Sequence, residues 1–239
     1  MDGELGINVN NPVLRKDRMS TGVPQLDLML DGGYKNPSTV LMIGPSGPEK
    51  NVLAYHFVAA GIAAGDTVLY INTDHTPDEV EKGAGQWGVN IKGDNLLWLD
   101  CYSATVSQGA GSMKPGVKTI SGPSALNELS LAIAEELEAL AGKRLRVVFG
   151  SFSTFALYNP MESLFKFLSL VEGRLKKAGA TTMLLVEEGM HEEKFLMTLK
   201  HNIDEEFIIK VSAEEKFLSG PQFPIDVPIR VGKLGVEVE

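Results

Sequence analysis

"IGPSGPEKNVL", Ile43–Leu53, comes close to spelling a phosphate-binding loop. The fingerprint of such a loop is G-x-x-x-x-G-K-[ST], in which backbone N–H groups and a lysine converge on phosphates at a helix N-terminus. Gly44 and Lys50 stand in register, and Gly47 lies between them. Glu49 replaces the last glycine and Asn51 the hydroxyl residue. The stretch therefore predicts a strand, a turn and a helix, and leaves open whether phosphate is bound there.

The surrounding pattern agrees with an α/β chain. Short β-branched runs at Ser38–Ile43, Thr67–Asn72, Leu96–Asp100, Leu145–Phe149, Thr181–Val186 and Glu206–Val211 alternate with helical stretches. That alternation predicts a mostly parallel twisted sheet with helices on both faces. Val227–Val231 and Leu234–Val238, joined at Gly232-Lys233, read as a C-terminal β-hairpin. Thr76-Pro77-Asp78-Glu79 has the order of a capping box with proline at the first helical position. Asn159-Pro160-Met161-Glu162 repeats that order before Leu164, Leu168, Val171 and Leu175. Leu126, Leu129, Ile133, Leu137 and Leu140 form a second helical stripe, and both stripes read as core faces. Ala104–Pro123 is rich in Ser, Gly and Thr without periodicity, and is expected to be a long mobile loop. Residues 1–239 are read as a single domain, with residues 1–19 as an N-terminal arm.

Bulk properties restrict the partners. A formal net charge of -9 disfavours nonspecific binding to phosphate backbones or anionic membranes, so DNA and membrane are not expected. The single cysteine, Cys101, excludes an internal disulfide and fits a reducing compartment. No apolar run approaches the ~20 residues that span a bilayer, so the expected location is cytoplasmic.

Taken together, "STGVPQLDLMLDGG" at Ser20–Gly33, "GPSGPEKN", "TVLYINTDHTPDEV" at Thr67–Val80, "RVVFGSFSTF" at Arg146–Phe155 and "TTMLLVEEG" at Thr181–Gly189 resemble the KaiC-like branch of the RecA-type ATPases. The resemblance extends through "LLWLDCYSA" and "VPIRVGKLGVEV", in order along nearly the whole chain. It implies a RecA-like P-loop fold, as in clock proteins and single-domain archaeal relatives. It also implies ATP chemistry, and there this chain departs from the pattern.

Glu49 adds a carboxylate at the phosphate position. Two like charges about 4 Å apart repel by about 4 kcal/mol at an effective dielectric of ~20, which is about three decades in affinity. A glutamate also cannot take a glycine-only backbone conformation cheaply, so the loop is expected to be reshaped. Asn51 lacks the hydroxyl that would hold magnesium. Gly150 stands where the family places an acidic residue after its buried strand, and reads as a tightly packed strand end. Asp74-His75 replaces the paired glutamates, one of which would activate water. No counterpart of the family's basic K-x-R segment is evident near Lys210–Gly220.

These departures touch several parts of a machine that works by positioning and charge stabilisation. The expectation is a catalytically inactive pseudo-ATPase that binds a protein or peptide, with a homo-oligomer as a further option. Gly44, Gly47, Lys50 and Asn51 form its vestigial phosphate loop, with no metal site and no cofactor. The alternative is a weak ATP/ADP-binding sensor or residual ATPase; a DNA-associated RecA relative is a third possibility. His56, His75, His191 and His201 show no metal-ligand spacing, "HEEKF" at His191–Phe195 is not H-E-x-x-H, and no Ser-His-Asp set follows from spacing.

Overall fold

The computed structural model describes residues 16–106, 114–212 and 215–238. Two short strands, β1 (Arg18–Met19) and β2 (Tyr34–Lys35), pair antiparallel around helix α1 (Pro24–Met29). The central body then runs β3 (Ser38–Gly44), α2 (Glu49–Ala64), β4 (Thr67–Asn72), α3 (Pro77–Gln86) and β5 (Leu96–Asp100). It continues through α4 (Ser103–Val106), β6 (Val117–Thr119), α5 (Leu126–Ala139), β7 (Leu145–Phe149) and α6 (Phe152–Tyr158). Next come α7 (Met161–Lys177), β8 (Thr181–Glu187) and α8 (Glu193–Lys200). The chain closes with β9 (Glu205–Ser212), β10 (Glu215–Ser219), β11 (Val227–Gly232) and β12 (Gly235–Val238).

Strands β3 to β12 form one ten-stranded sheet in the order β12-β11-β10-β9-β3-β8-β7-β4-β5-β6. From β9 to β6 all neighbours are parallel, and β9 to β12 form an antiparallel meander. This is the expected α/β RecA-like P-loop fold. The central strands are buried along their whole length, as a sheet covered on both faces requires. Alternation along β3 sends Val40 and Met42 into one core, with Phe57 of α2, and Leu41 and Ile43 into the other, with Phe155 and Leu168.

Some local expectations are revised. The C-terminal hairpin forms, but Gly232 pairs with Gly235, so Lys233-Leu234 is its turn. Thr76 and Glu79 make the full capping box. Asn159 does not cap α7: its amide donates to the carbonyls of Phe155 and Pro123, and Pro160 precedes the helix without a side-chain cap. The expected loop at 104–123 contains the end of α4 and strand β6, which extends the sheet beside β5; its residues 107–113 lie outside the described residues. Most of the expected arm, residues 1–15, is outside them too, while Arg18–Met19 belongs to β1. Among the described residues no helix is long and apolar enough to cross a membrane.

Candidate functional site

β3 and β4 are consecutive in sequence yet separated in the sheet by β8 and β7. Such a reversal of strand order opens a crevice at the carboxyl ends of parallel strands. A cavity of about 370 Å³ lies there, walled by Gly47, Lys50 and Asn51 on one side and by Asp74, Gly150 and Glu187 on others. The fold thus gathers the residues singled out at the loop, at the tip of β4 and after β7. Gly44 ends β3 below them, and a side chain there would press on Ile209 and Lys50.

The loop is built differently from the fingerprint. Helix α2 begins at Glu49, directly after Pro48, and no residue from Gly44 to Asn51 has a positive φ. Glu49 therefore sits in ordinary helical backbone. Its side chain neither turns into solvent nor leaves the loop: it is 4% exposed, and a carboxylate oxygen lies where a Cβ on Gly47 would go. Lys216, on β10, pairs with that carboxylate. Lys50 is also committed within the chain. Its ammonium lies 2.6 Å from a carboxylate oxygen of Glu187, at the end of β8, and donates to the Pro45 carbonyl at 2.5 Å. Two carboxylates from the protein thus lie among groups that would otherwise meet phosphate.

Sequence reasoning missed Glu187 and Lys216. Lys216 lies 167 residues from Glu49, and only the need of a buried glutamate for a cation could have pointed to it. Lys210, at the start of the Lys210–Gly220 stretch, pairs with Asp226 at 2.9 Å.

The other departing positions make their own contacts. A Cβ on Gly150 would come within 2.6 Å of the Tyr70 ring and 3.2 Å of the Ile71 carbonyl. Tyr70 is held against Trp98, with ring centroids 4.8 Å apart, so it fills the room that an acidic side chain at 150 needs. Burial raises the Tyr70 hydroxyl well above its ordinary pKa and keeps it neutral. Asp74 accepts hydrogen bonds from Thr154 at 2.5 Å and Thr73 at 3.2 Å. His75 stands edge-on to Tyr102. Among the described residues no three His, Cys, Asp or Glu side chains gather as a metal set.

One further contact crosses the cavity wall. Ser153, the second residue of α6, lies 2.7 Å from Nε2 of His191, and the backbone N–H of Glu187 donates to the same hydroxyl at 2.8 Å.

The family model described as "ATPase: KaiC" matches residues 19–216. The chain belongs to that family. Relatives of this KaiC-like chain include a UPF0273 protein from Methanopyrus kandleri, 24% identical over 75% of this chain and 70% of its own length. A UPF0273 protein from Thermotoga maritima is 24% identical over 74% of this chain and 73% of its own length. The crystal structure of a KaiC-like protein from the hyperthermophilic archaeon Pyrococcus horikoshii OT3 superposes with a TM-score of 0.73. That likeness covers 93% of this chain and 98% of that one at 16% identity, and it concerns the fold.

Proposed function

We propose that this chain is a non-hydrolysing member of the KaiC family, kept as a cytoplasmic module that binds a protein or peptide. One observation carries the proposal: the charged groups of the loop are neutralised from within, Lys50 by Glu187 and Glu49 by Lys216. For a phosphate to engage Lys50, the Glu187 pair has to open. Lys50 is buried but Glu187 is 29% exposed, so opening the pair costs less than breaking a fully buried one, about 1–2 kcal/mol, equal to about one decade in affinity. The Glu49 carboxylate adds repulsion beside the same position. Water activation lacks support as well, because Asp74 is tied to two hydroxyls and Gly150 leaves no side chain to hold a metal.

A binding role draws support from the opposite side of the sheet. Leu131, Leu157, Tyr158 and Leu170 stand at least half exposed on α5, α6 and α7. A groove of about 500 Å³ runs past Leu126, Phe167 and Leu170. Exposed apolar surface of this kind suits a protein partner. In a capture experiment with the immobilised chain, retained partners should be the same with and without ATP and magnesium. Partners held only with nucleotide present would overturn the proposal.

The alternative, a weak ATP/ADP sensor, draws on Lys50 and Asn51 still lining the cavity. It requires phosphate to displace Glu187.

A further inference from the structure

We propose that Ser153 and His191 form a nucleophile–base pair for acyl transfer, acting on small carboxylic esters in the cavity beside the degenerate loop. This goes beyond the binding role, since it uses residues outside the phosphate loop and needs no nucleotide.

The close approach of the two side chains leads to it. The Glu187 N–H donates to Ser153 Oγ at 2.8 Å, so the hydroxyl oxygen acts as an acceptor there. His191 Nε2 lies 2.7 Å from the same oxygen, and in the tautomer protonated on Nδ1 it accepts the hydroxyl hydrogen. Burial pushes His191 below the ordinary histidine range, which favours a neutral ring. The ring packs against Phe195 with centroids 4.5 Å apart, which limits its rotation. Hydroxyl donating to imidazole is the arrangement of an activated serine.

Such a contact could serve only to tie the turn after β8 to α6. What separates this pair from a structural tie is its setting. Ser153 is 1% exposed overall, yet it lines the cavity of about 370 Å³. Tyr55, Leu185 and Met190 supply apolar wall for an acyl group. Esters fit this wall better than phosphate anions do, because the lining carboxylates Glu187 and Asp74 outnumber Lys50.

The reaction balances without a further reagent. Ser153 Oγ bonds to the ester carbonyl carbon as its proton passes to His191 Nε2. The carbon–oxygen bond to the alcohol then breaks, and the alcohol leaves with that proton. Water, deprotonated by His191, attacks the acyl-serine, and the carboxylic acid leaves as the proton returns to Ser153.

The test uses the full-length protein, a fluorophosphonate probe and p-nitrophenyl acetate. Attack on the probe expels fluoride and leaves a stable phosphonate ester. Peptide mass spectrometry should place the adduct on Ser153, and ester hydrolysis should exceed the rate in protein-free buffer. Ser153→Ala should lose both signals. His191→Gln should slow labelling by about 100-fold or more, the usual contribution of a general base. An unlabelled wild-type protein, an adduct confined to another residue, or labelling of Ser153 at the same rate in His191→Gln would each overturn the proposal. The wild-type adduct decides the matter even if Ser153→Ala fails to fold.

Discussion

Replacing Lys216 by methionine removes the cation that meets Glu49 and keeps most of the apolar stem. The Glu49 side chain is 5% exposed, so its carboxylate would be left charged, buried and without its partner. Truncating one member of a fully buried pair costs about 3–5 kcal/mol. Lys216 itself is 31% exposed, so water reaches that end of the pair and brings the cost below that range, to about 2–3 kcal/mol. For a chain of this size each kcal/mol lowers the melting temperature by about 2–4 °C, so a fall of roughly 4–12 °C is expected. Glu49→Gln removes the charge from the other side. The double variant should therefore recover much of the loss, with a coupling energy of about 1–3 kcal/mol in the four-way comparison. Urea denaturation followed by circular dichroism measures all four proteins. If Lys216→Met lies within 0.5 kcal/mol of wild type, or if the two substitutions are additive, Glu49 is not held against the loop by Lys216 and the internally neutralised site is wrong.

Gly150→Asp should not restore a metal ligand, because its Cβ meets the Tyr70 ring; it should destabilise by about 1–3 kcal/mol, read by thermal denaturation, and should cost less when made in a Tyr70→Ala background. His56 accepts a hydrogen bond from the Val236 N–H through Nε2 at 2.9 Å, and burial lowers its pKa. Its folded-state pKa being the lower one, the neutral ring contributes stability above the ordinary histidine value, and that stability is lost as pH falls through the folded value. A melting-temperature profile between pH 8 and 5 should therefore slope downward toward acid, and His56→Gln should flatten it. Thr76→Ala opens the capping box of α3 and should cost about 1 kcal/mol by the same denaturation assay.

Much of the fold was readable because its strands carry their own signal. Ser38–Gly44 and Thr67–Asn72 are uninterrupted apolar or β-branched runs, as strands buried on both faces must be. Glu215–Ser219 was not legible as β10, since "EKFLS" opens on two charged residues and becomes a strand through its pairing with β9 and β11. β6 escaped for a similar reason: three residues in a Gly- and Ser-rich stretch gain strand geometry from β5. At the site, the losses at Glu49, Asn51 and Gly150 were visible one position at a time. Their compensations were not, because Lys216, Glu187 and Tyr70 come from other strands. The Ser153–His191 contact likewise joins two segments 38 residues apart, with no spacing rule to reveal it.

Calorimetric titration of the full-length protein with ATP, in the presence and absence of magnesium, tests the central claim most directly. With Lys50 bound to Glu187 and Glu49 folded over Gly47, heat of binding should be absent or fit only a millimolar dissociation constant, with or without the metal. Micromolar binding that strengthens with magnesium, accompanied by phosphate release, would contradict the account and return this chain to the working ATPases of its family.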